Sequence, residues 1–238
     1  MILLLFKVLK IYYLMTNVPI FVINCDEQRK KRMIARFNKL NIIPTFNCFT
    51  DISGMEQKYN ITLTIHDKVM LSHMDCIQKF YDSGKSLGII CEDDIYIHKN
   101  FNEEIEKVIT FINQNNYDIL LLGYLLNYKP PYHYHNLITA FNNYKVYDFN
   151  EELWGAQMYT LTRNYAKYLL DNFPIKWKFD NPKNPWASDW IITKNGKRAM
   201  IYPMLAVEEG DRICDSNSSQ KIYHRDCKNI QYDSKIYI

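Results

Sequence analysis

Glycine is scarce in this chain, seven residues in 238. None lies in the first fifty positions, so the glycine-rich loop that cradles phosphates in many nucleotide-binding proteins is missing. The six cysteines stand at 25, 48, 76, 91, 214 and 227, with no C-x-x-C pair and no spacing that reads as a disulfide framework. Cys25, Cys48 and Cys91 fall in apolar runs, where a free thiol packs as a small hydrophobe. A reducing, cytoplasmic setting is therefore expected. Basic runs are short as well: Arg29-Lys30-Lys31-Arg32 is the longest, and the net charge is only +3. A polyanion groove needs a broader basic stripe, so no nucleic-acid partner is expected. A small phosphorylated ligand needs only one or two cations and stays open.

Long hydrophobic runs are also lacking. The first fifteen residues, MILLLFKVLKIYYLM, are apolar, but Lys7 and Lys10 interrupt them. A spanning helix needs roughly 20 apolar residues. Residues 1–17 read as an extension, either an upstream in-frame segment ahead of a start at Met15 or a short anchor that touches a membrane. There are no internal repeats and no Gly/Ser linker. One domain is expected over residues 18–220, followed by a polar tail over 221–238. A hydrophobic fraction of 47% with 23% charged residues excludes disorder as the default state.

What is present is an alternation of apolar runs and amphipathic segments. Pro19 to Ile23 reads as a buried strand. Asp26 is expected to cap the following helix, whose Met33, Phe37 and Leu40 share a face. Ile42 to Phe49 reads as a second strand, which makes a β-α-β unit and implies a parallel sheet covered by helices. A turn is expected at Asp51-Ile52-Ser53-Gly54, a helix over 65–81 with Gly84 just beyond it, and a strand over 86–91. Further helices are expected at 101–112, 164–172 and 189–194. Further strands fall at 118–122, 144–149, 157–161 and 198–202. Residues 128–143 read as an irregular excursion, and from Glu208 the pattern fades.

Glu92-Asp93-Asp94 stands at the exit of the apolar run Leu87 to Cys91. In an open α/β sheet, ligands bind beyond the carboxyl ends of the strands. Three adjacent carboxylates repel one another unless solvent or a cation compensates. Magnesium or manganese commonly bridges one or two carboxylates to substrate phosphates. A solvated turn would have the same composition, and placement alone leaves the two readings level. Asn24 and Asp26 occupy the matching rim after the first strand, where a base or ribose could sit. His73, on the helix before the triplet, could donate to a phosphate. Asp189 is the later carboxylate best suited to accept a proton from an attacking hydroxyl, and it reads equally as a helix N-cap. Trp177, Trp186 and Trp190 could stack on a sugar or fill the core. His133 and His135 lack zinc-ligand spacing. His224 would reach a metal only if the tail folds back over the cleft.

Several segments, taken in order, resemble glycosyltransferase family 25, the lipooligosaccharide and procollagen sugar transferases. FVINCDEQRKKRM is similar to the family's opening strand and Arg-rich helix, LSHMDCIQKF to its Ser-His helix, and LGIICEDDIYI to its Glu-Asp-Asp strand. WGAQMYTLTRNYAKYLL resembles its later strand and helix, and residues 189–203 sit where it has an Asp, a strand and a Pro. The chain departs from the pattern at Val69-Met70, where a Gly-Cys pair is usual, and at Cys25, where Leu is usual. The resemblance implies a single-domain α/β fold of GT-A, Rossmann-like type, with a mixed, mostly parallel sheet flanked by helices. It implies a UDP-sugar donor, galactose or glucose, a glycan or protein hydroxyl acceptor, manganese or magnesium, and inversion. It makes Asp94 the chief metal ligand, supported by Glu92 and Asp93 at metal or ribose, places Ser72 and His73 in the donor pocket with Asn24 on its rim, and makes Asp189 the base. Two rivals stand beside it: a nucleotidyltransferase, and a non-catalytic sugar- or partner-binding relative.

Overall fold

Pro19 opens the first strand, β1 (Ile20–Ile23), and all four of its residues are buried. An unbroken apolar strand needs cover on both faces. Asp26 stops the run and caps α1 (Glu27–Lys39), its carboxylate accepting from the Arg29 amide at 2.7 Å. Met33 and Phe37 have no exposed surface, and truncating Phe37 to alanine would cost about 3–5 kcal/mol. β2 (Thr45–Asn47) returns parallel to β1. It is shorter than expected because it lies at the sheet edge and Pro44 has no N–H to offer.

The structure is a computed structural model that describes residues 18–130, 136–149, 153–210 and 218–238. The expected extension at 1–17, His133, His135 and Cys214 lie outside the described residues.

The turn expected at 51–54 is the start of a helix, α2 (Ile52–Tyr59), because the Asp51 side chain accepts from the Gly54 amide and sets the first turn. α3 (Ile65–Asp82) begins at a capping box between Thr64 and Asp67, and Gly84 follows it at φ +73°. Then come β3 (Leu87–Glu92), β4 (Ile95–Ile97), α4 (Phe101–Asn115) and β5 (Ile119–Leu125). The excursion expected at 128–143 contains β6 (Leu137–Phe141), which turns at Asn142 onto β7 (Tyr144–Tyr147). Four of its five residues are exposed, so no buried alternation marked it. β8 (Trp154–Thr162) leads through the Thr162 cap into α5 (Arg163–Asn172). An unexpected α6 (Ile175–Asp180) follows, then α7 (Ser188–Lys194), β9 (Arg198–Tyr202), β10 (Ala206–Glu208) and α8 (Ser218–Gln231).

Among the described residues, eight strands form one sheet in the order β2-β1-β3-β8-β5-β9-β7-β6. Only β8 and β7 run against the other six, so the sheet is mixed, as expected, with most strands pointing one way and with β8 and β7 each paired antiparallel on both sides. Phe21, Ile23 and Ile90 pack on one face against α3 and α5. Ile20, Val22, Ile89 and Cys91 pack on the other, against α1 and α4. The period of two places neighbours on opposite faces, which is why the strands read as continuous apolar runs. β4 and β10 form a separate antiparallel ribbon in which Ile95 faces Glu208.

Two expectations are overturned. Cys25 and Cys48 are joined in a disulfide, with Cα atoms 5.4 Å apart. They stand just beyond the parallel strands β1 and β2, whose register sets Ile23 beside Asn47. Tertiary pairing brings the thiols together, which their spacing does not reveal. The reducing setting inferred from free thiols loses that support; Cys76, Cys91 and Cys227 are free and buried. The polar tail expected at 221–238 is instead α8 and a C-terminal segment whose Ile238 exchanges two backbone hydrogen bonds with Ile97, each 2.9 Å. The boundary drawn at 220 falls inside that helix. Among the described residues, no helix is long and apolar enough to cross a membrane.

Candidate active site

The chain leaves β1 toward β2 on one side, and β3 takes the place on the other. A crevice opens at such a point, beyond the carboxyl ends of the strands. Asn24, at the exit of β1, donates from Nδ2 to Asp93 Oδ2 at 2.5 Å and to the Asp26 carbonyl at 2.7 Å. Arg29, one turn into α1, places Nη1 3.2 Å from Asp93 Oδ1 and 3.1 Å from Asp94 Oδ2. The same helix carries Arg32 and Arg36, which hold Glu209 at 2.9 and 2.5 Å. Glu209 in turn donates its amide to the Asp94 carbonyl at 2.7 Å. One basic helix therefore grips both acid-bearing strand exits.

Asp94 is buried, and its Oδ1 has no hydrogen-bond partner among the described residues. Burial pushes its carboxyl well above the usual range, Glu92 and Glu208 add to the push, and Arg29 offsets part of it. Asp93 is also raised: burial raises it while Asn24 and Arg29 oppose. Burial also works against the charge on Glu209, but Arg32 and Arg36 outweigh it and hold that group below its ordinary value. The negative charge of Glu209 is thus compensated by two cations, and that around Asp94 only in part, by Arg29.

A cavity of about 650 Å³ opens here, bordered by Glu92, Asp94, Glu208 and His224. Asp189 borders it from α7, and Trp154 and Gln157 from β8. His224 sits in it because α8 folds back over the cleft. Its Nδ1 meets the Glu208 carboxylate at 2.6 and 2.7 Å.

The remaining expected site residues stand further back. His73 is fully buried, with Nδ1 3.0 Å from the Tyr159 hydroxyl and Nε2 3.5 Å from Glu92 Oε1. Burial lowers it to about 4, against the pull of Asp189, so it is neutral and backs Glu92 without bordering the cavity. Ser72 is buried too; its hydroxyl donates to the Lys68 carbonyl at 3.1 Å and accepts from the Phe49 amide at 3.4 Å. Asp189 is not the N-cap of its helix: Ala187 holds that position, and Asp189 lies in the first turn. Trp186 is core, its indole N–H donating to the Phe173 carbonyl at 3.1 Å. Trp177 packs edge-on against Phe173.

Arg29, Trp154, Gln157 and Glu208 were not singled out by the sequence. For Glu208 a signal existed: Leu205-Ala206-Val207 before Glu208-Glu209 repeats the pattern of an apolar run ending in acids.

The residues suit a divalent cation in one respect. A desolvated carboxyl with an orphaned oxygen, flanked by Glu92 and Glu208 and only partly offset by Arg29, is a site that a further cation would stabilise. Among the described residues, no three His, Cys, Asp or Glu side chains are grouped to hold an ion by themselves. An ion at Asp94 would take the rest of its coordination from substrate oxygens and water, as magnesium commonly does.

Residues 17–182 match the profile of glycosyltransferase family 25, described as LPS biosynthesis protein. The match takes in Asn24 and Glu92-Asp93-Asp94 and stops before Asp189, Glu208 and His224. No curated protein matches significantly. Among solved structures, a mannose-1-phosphate geranyltransferase from Thermus thermophilus aligns at TM-score 0.47 and 8% identity, covering 78% of this chain and 73% of that one. A glycosyltransferase involved in glycosylation of the major capsid of PBCV-1 aligns at TM-score 0.41 and 9% identity, covering 87% and 98%. A197 from STIV aligns at TM-score 0.43 and 12% identity, covering 82% and 92%. With the family profile spanning β1 through α6, the chain belongs to glycosyltransferase family 25 and is a glycosyltransferase.

Proposed function

We propose that this glycosyltransferase moves a hexose, galactose or glucose, from a UDP-sugar to a hydroxyl acceptor on a glycan or protein, with inversion and with manganese or magnesium. The observation that carries this reading is Asp94: a buried carboxylate with one orphaned oxygen, beside Glu92 and Glu208, bordering a cavity large enough for a nucleotide-sugar fragment. Asp94 and Glu92 would hold the ion, with His224 as a further candidate on the cavity wall. Bound there, the ion would offset the charge that the diphosphate gains as the glycosyl bond breaks.

The chain's own residues have separate tasks. Arg29 and Asn24 fix the Asp93 and Asp94 side chains, so the carboxylates need not reorganise when the donor arrives. Neutral His73 stands behind Glu92 without adding a charge. Asp189 would accept the proton of the acceptor hydroxyl as that oxygen bonds to the anomeric carbon and UDP departs from the opposite face.

The test is UDP-sugar hydrolysis and transfer by the purified protein, with and without manganese, beside Asp94→Ala. Loss of several kcal/mol of charge stabilisation predicts a fall of at least about a hundredfold. Full activity in Asp94→Ala would remove the metal assignment. Thermal shift with UDP and manganese tests the donor separately, and no shift with either would count against a nucleotide-sugar.

A further inference from the structure

We propose that the Trp154 side of the cavity is the acceptor subsite and that its occupant is a pyranose ring, so that the acceptor is a carbohydrate and not a protein side chain. This deepens the transferase reading and takes from it only that a hydroxyl acceptor must stand beside Asp189.

Trp154 is 46% exposed, yet it is not on a floppy loop. It opens β8, with its backbone paired to Leu125. Trp190 lies beside the ring at a centroid distance of 6.2 Å, and Lys194 Nζ is 5.9 Å from the ring centre. Lys194 is itself anchored to the Leu153 carbonyl at 2.6 Å. A large apolar plate is thus held rigid at the cavity wall, where a ligand can cover it. Trp190 adjoins Asp189 in α7, so the plate rests on the helix that carries the candidate base.

Gln157, further along the same strand, is a second and independent observation. Only 4% of it is exposed, it borders the cavity, and its Oε1 is buried without a partner among the described residues. Buried acceptors are nearly always satisfied, so this one is short of a donor, and a turn of the amide toward the cavity would let a ligand hydroxyl supply it. Gly155 lies between the two. Its φ is +102°, and a Cβ there would collide with Gln157 Oε1 and with the Leu125 amide nitrogen. The strand has kept the space in which that oxygen sits. An apolar plate, an unmet acceptor and a carboxylate bordering one cavity match a ring that has an apolar face and hydroxyls on its edge. A lone side-chain hydroxyl would leave most of the indole wet. Glu92, Asp94 and Glu208 make the remainder of the lining charged.

The probes are methyl β-galactopyranoside and methyl β-glucopyranoside, read by saturation-transfer NMR on the full chain, with a serine-containing peptide as the non-sugar control. UDP binding is followed in parallel by thermal shift. At least one glycoside should bind the wild type. Trp154→Ala should weaken it at least about tenfold, Trp154→Phe should keep most of the affinity, and Gln157→Leu should weaken it while leaving the fold intact, because Oε1 has no bond to lose. The UDP shift should be unchanged in all three. The proposal is overturned if neither glycoside binds, if Trp154→Ala binds them as the wild type does, if Trp154→Ala abolishes the UDP shift as well, or if the peptide alone binds. Glycoside binding lost in Trp154→Ala, with no UDP shift in any variant, would sustain this subsite and reject the donor reading.

Discussion

His224 Nδ1 lies 2.6 Å from Glu208 Oε2, and both side chains are almost wholly buried at the wall of the cavity. The contact joins α8 to the exit of β10. Removing one partner leaves the other desolvated, at a cost of a few kcal/mol. His224→Ala should therefore lower the melting temperature and raise amide exchange in residues 218–231 more than in α1. Unchanged protection in α8 would show that other contacts hold it down.

His73 predicts a pH dependence. Burial lowers it to about 4, with Asp189 opposing. The unfolded chain binds that proton near pH 6.5 and the folded chain only near 4. Stability from this group is intact above about pH 6.5 and falls as pH drops toward 4, by about 1.4 kcal/mol per unit at the steepest and about 3 kcal/mol in all. Asp94 has the opposite sign: its raised carboxyl favours the folded state at low pH and withdraws that support as pH rises. A comparison of His73→Gln with the wild type isolates the histidine, and Gln can still bond the Tyr159 hydroxyl. In urea melts the variant should gain on the wild type between about pH 7 and 4.5. Parallel profiles would mean that His73 is not held neutral.

Arg29 is the cation already between Asp93 and Asp94. Arg29→Gln should lower stability in metal-free buffer by about 1–3 kcal/mol. Added manganese should restore more of the melting temperature in this variant than it adds to the wild type. An equal manganese shift in both would separate Arg29 from the ion.

The Cys25–Cys48 disulfide closes a segment with a sequence separation of 23 residues. A loop of this size confers about 3 kcal/mol through the unfolded state. Reduction, or the double change Cys25→Ser with Cys48→Ser, should lower the melting temperature. Peptide mapping after alkylation without reductant should leave Cys25 and Cys48 unmodified. Ready labelling of either would contradict the bridge.

The framework of this protein is legible in its sequence wherever burial is continuous. β1, β3 and β9 are apolar runs, and Asp26, Thr162 and Gly84 mark helix ends by local chemistry that needs no partner. The site is legible only in the half that carries Glu92-Asp93-Asp94. Glu208 and His224 come from segments whose composition is polar, and they matter only after β10 pairs with β4 and α8 folds back. Trp154 and Gln157 sit on a strand whose pattern says buried but not beside what. The disulfide escaped for the same reason, since only the parallel register of β1 and β2 brings its halves together.

The place of β9 in the sheet, between β5 and β7, bears on how the protein can be cut. A fragment ending at residue 182, where the family profile stops, would omit the strand that connects the β6–β7 hairpin to the rest of the sheet, together with Asp189, Glu208 and all of α8. Such a fragment would keep the Glu92-Asp93-Asp94 motif and lack part of the wall of its own cavity. A unit that keeps the whole wall of this cavity therefore runs past the recognisable part, at least through His224 in α8.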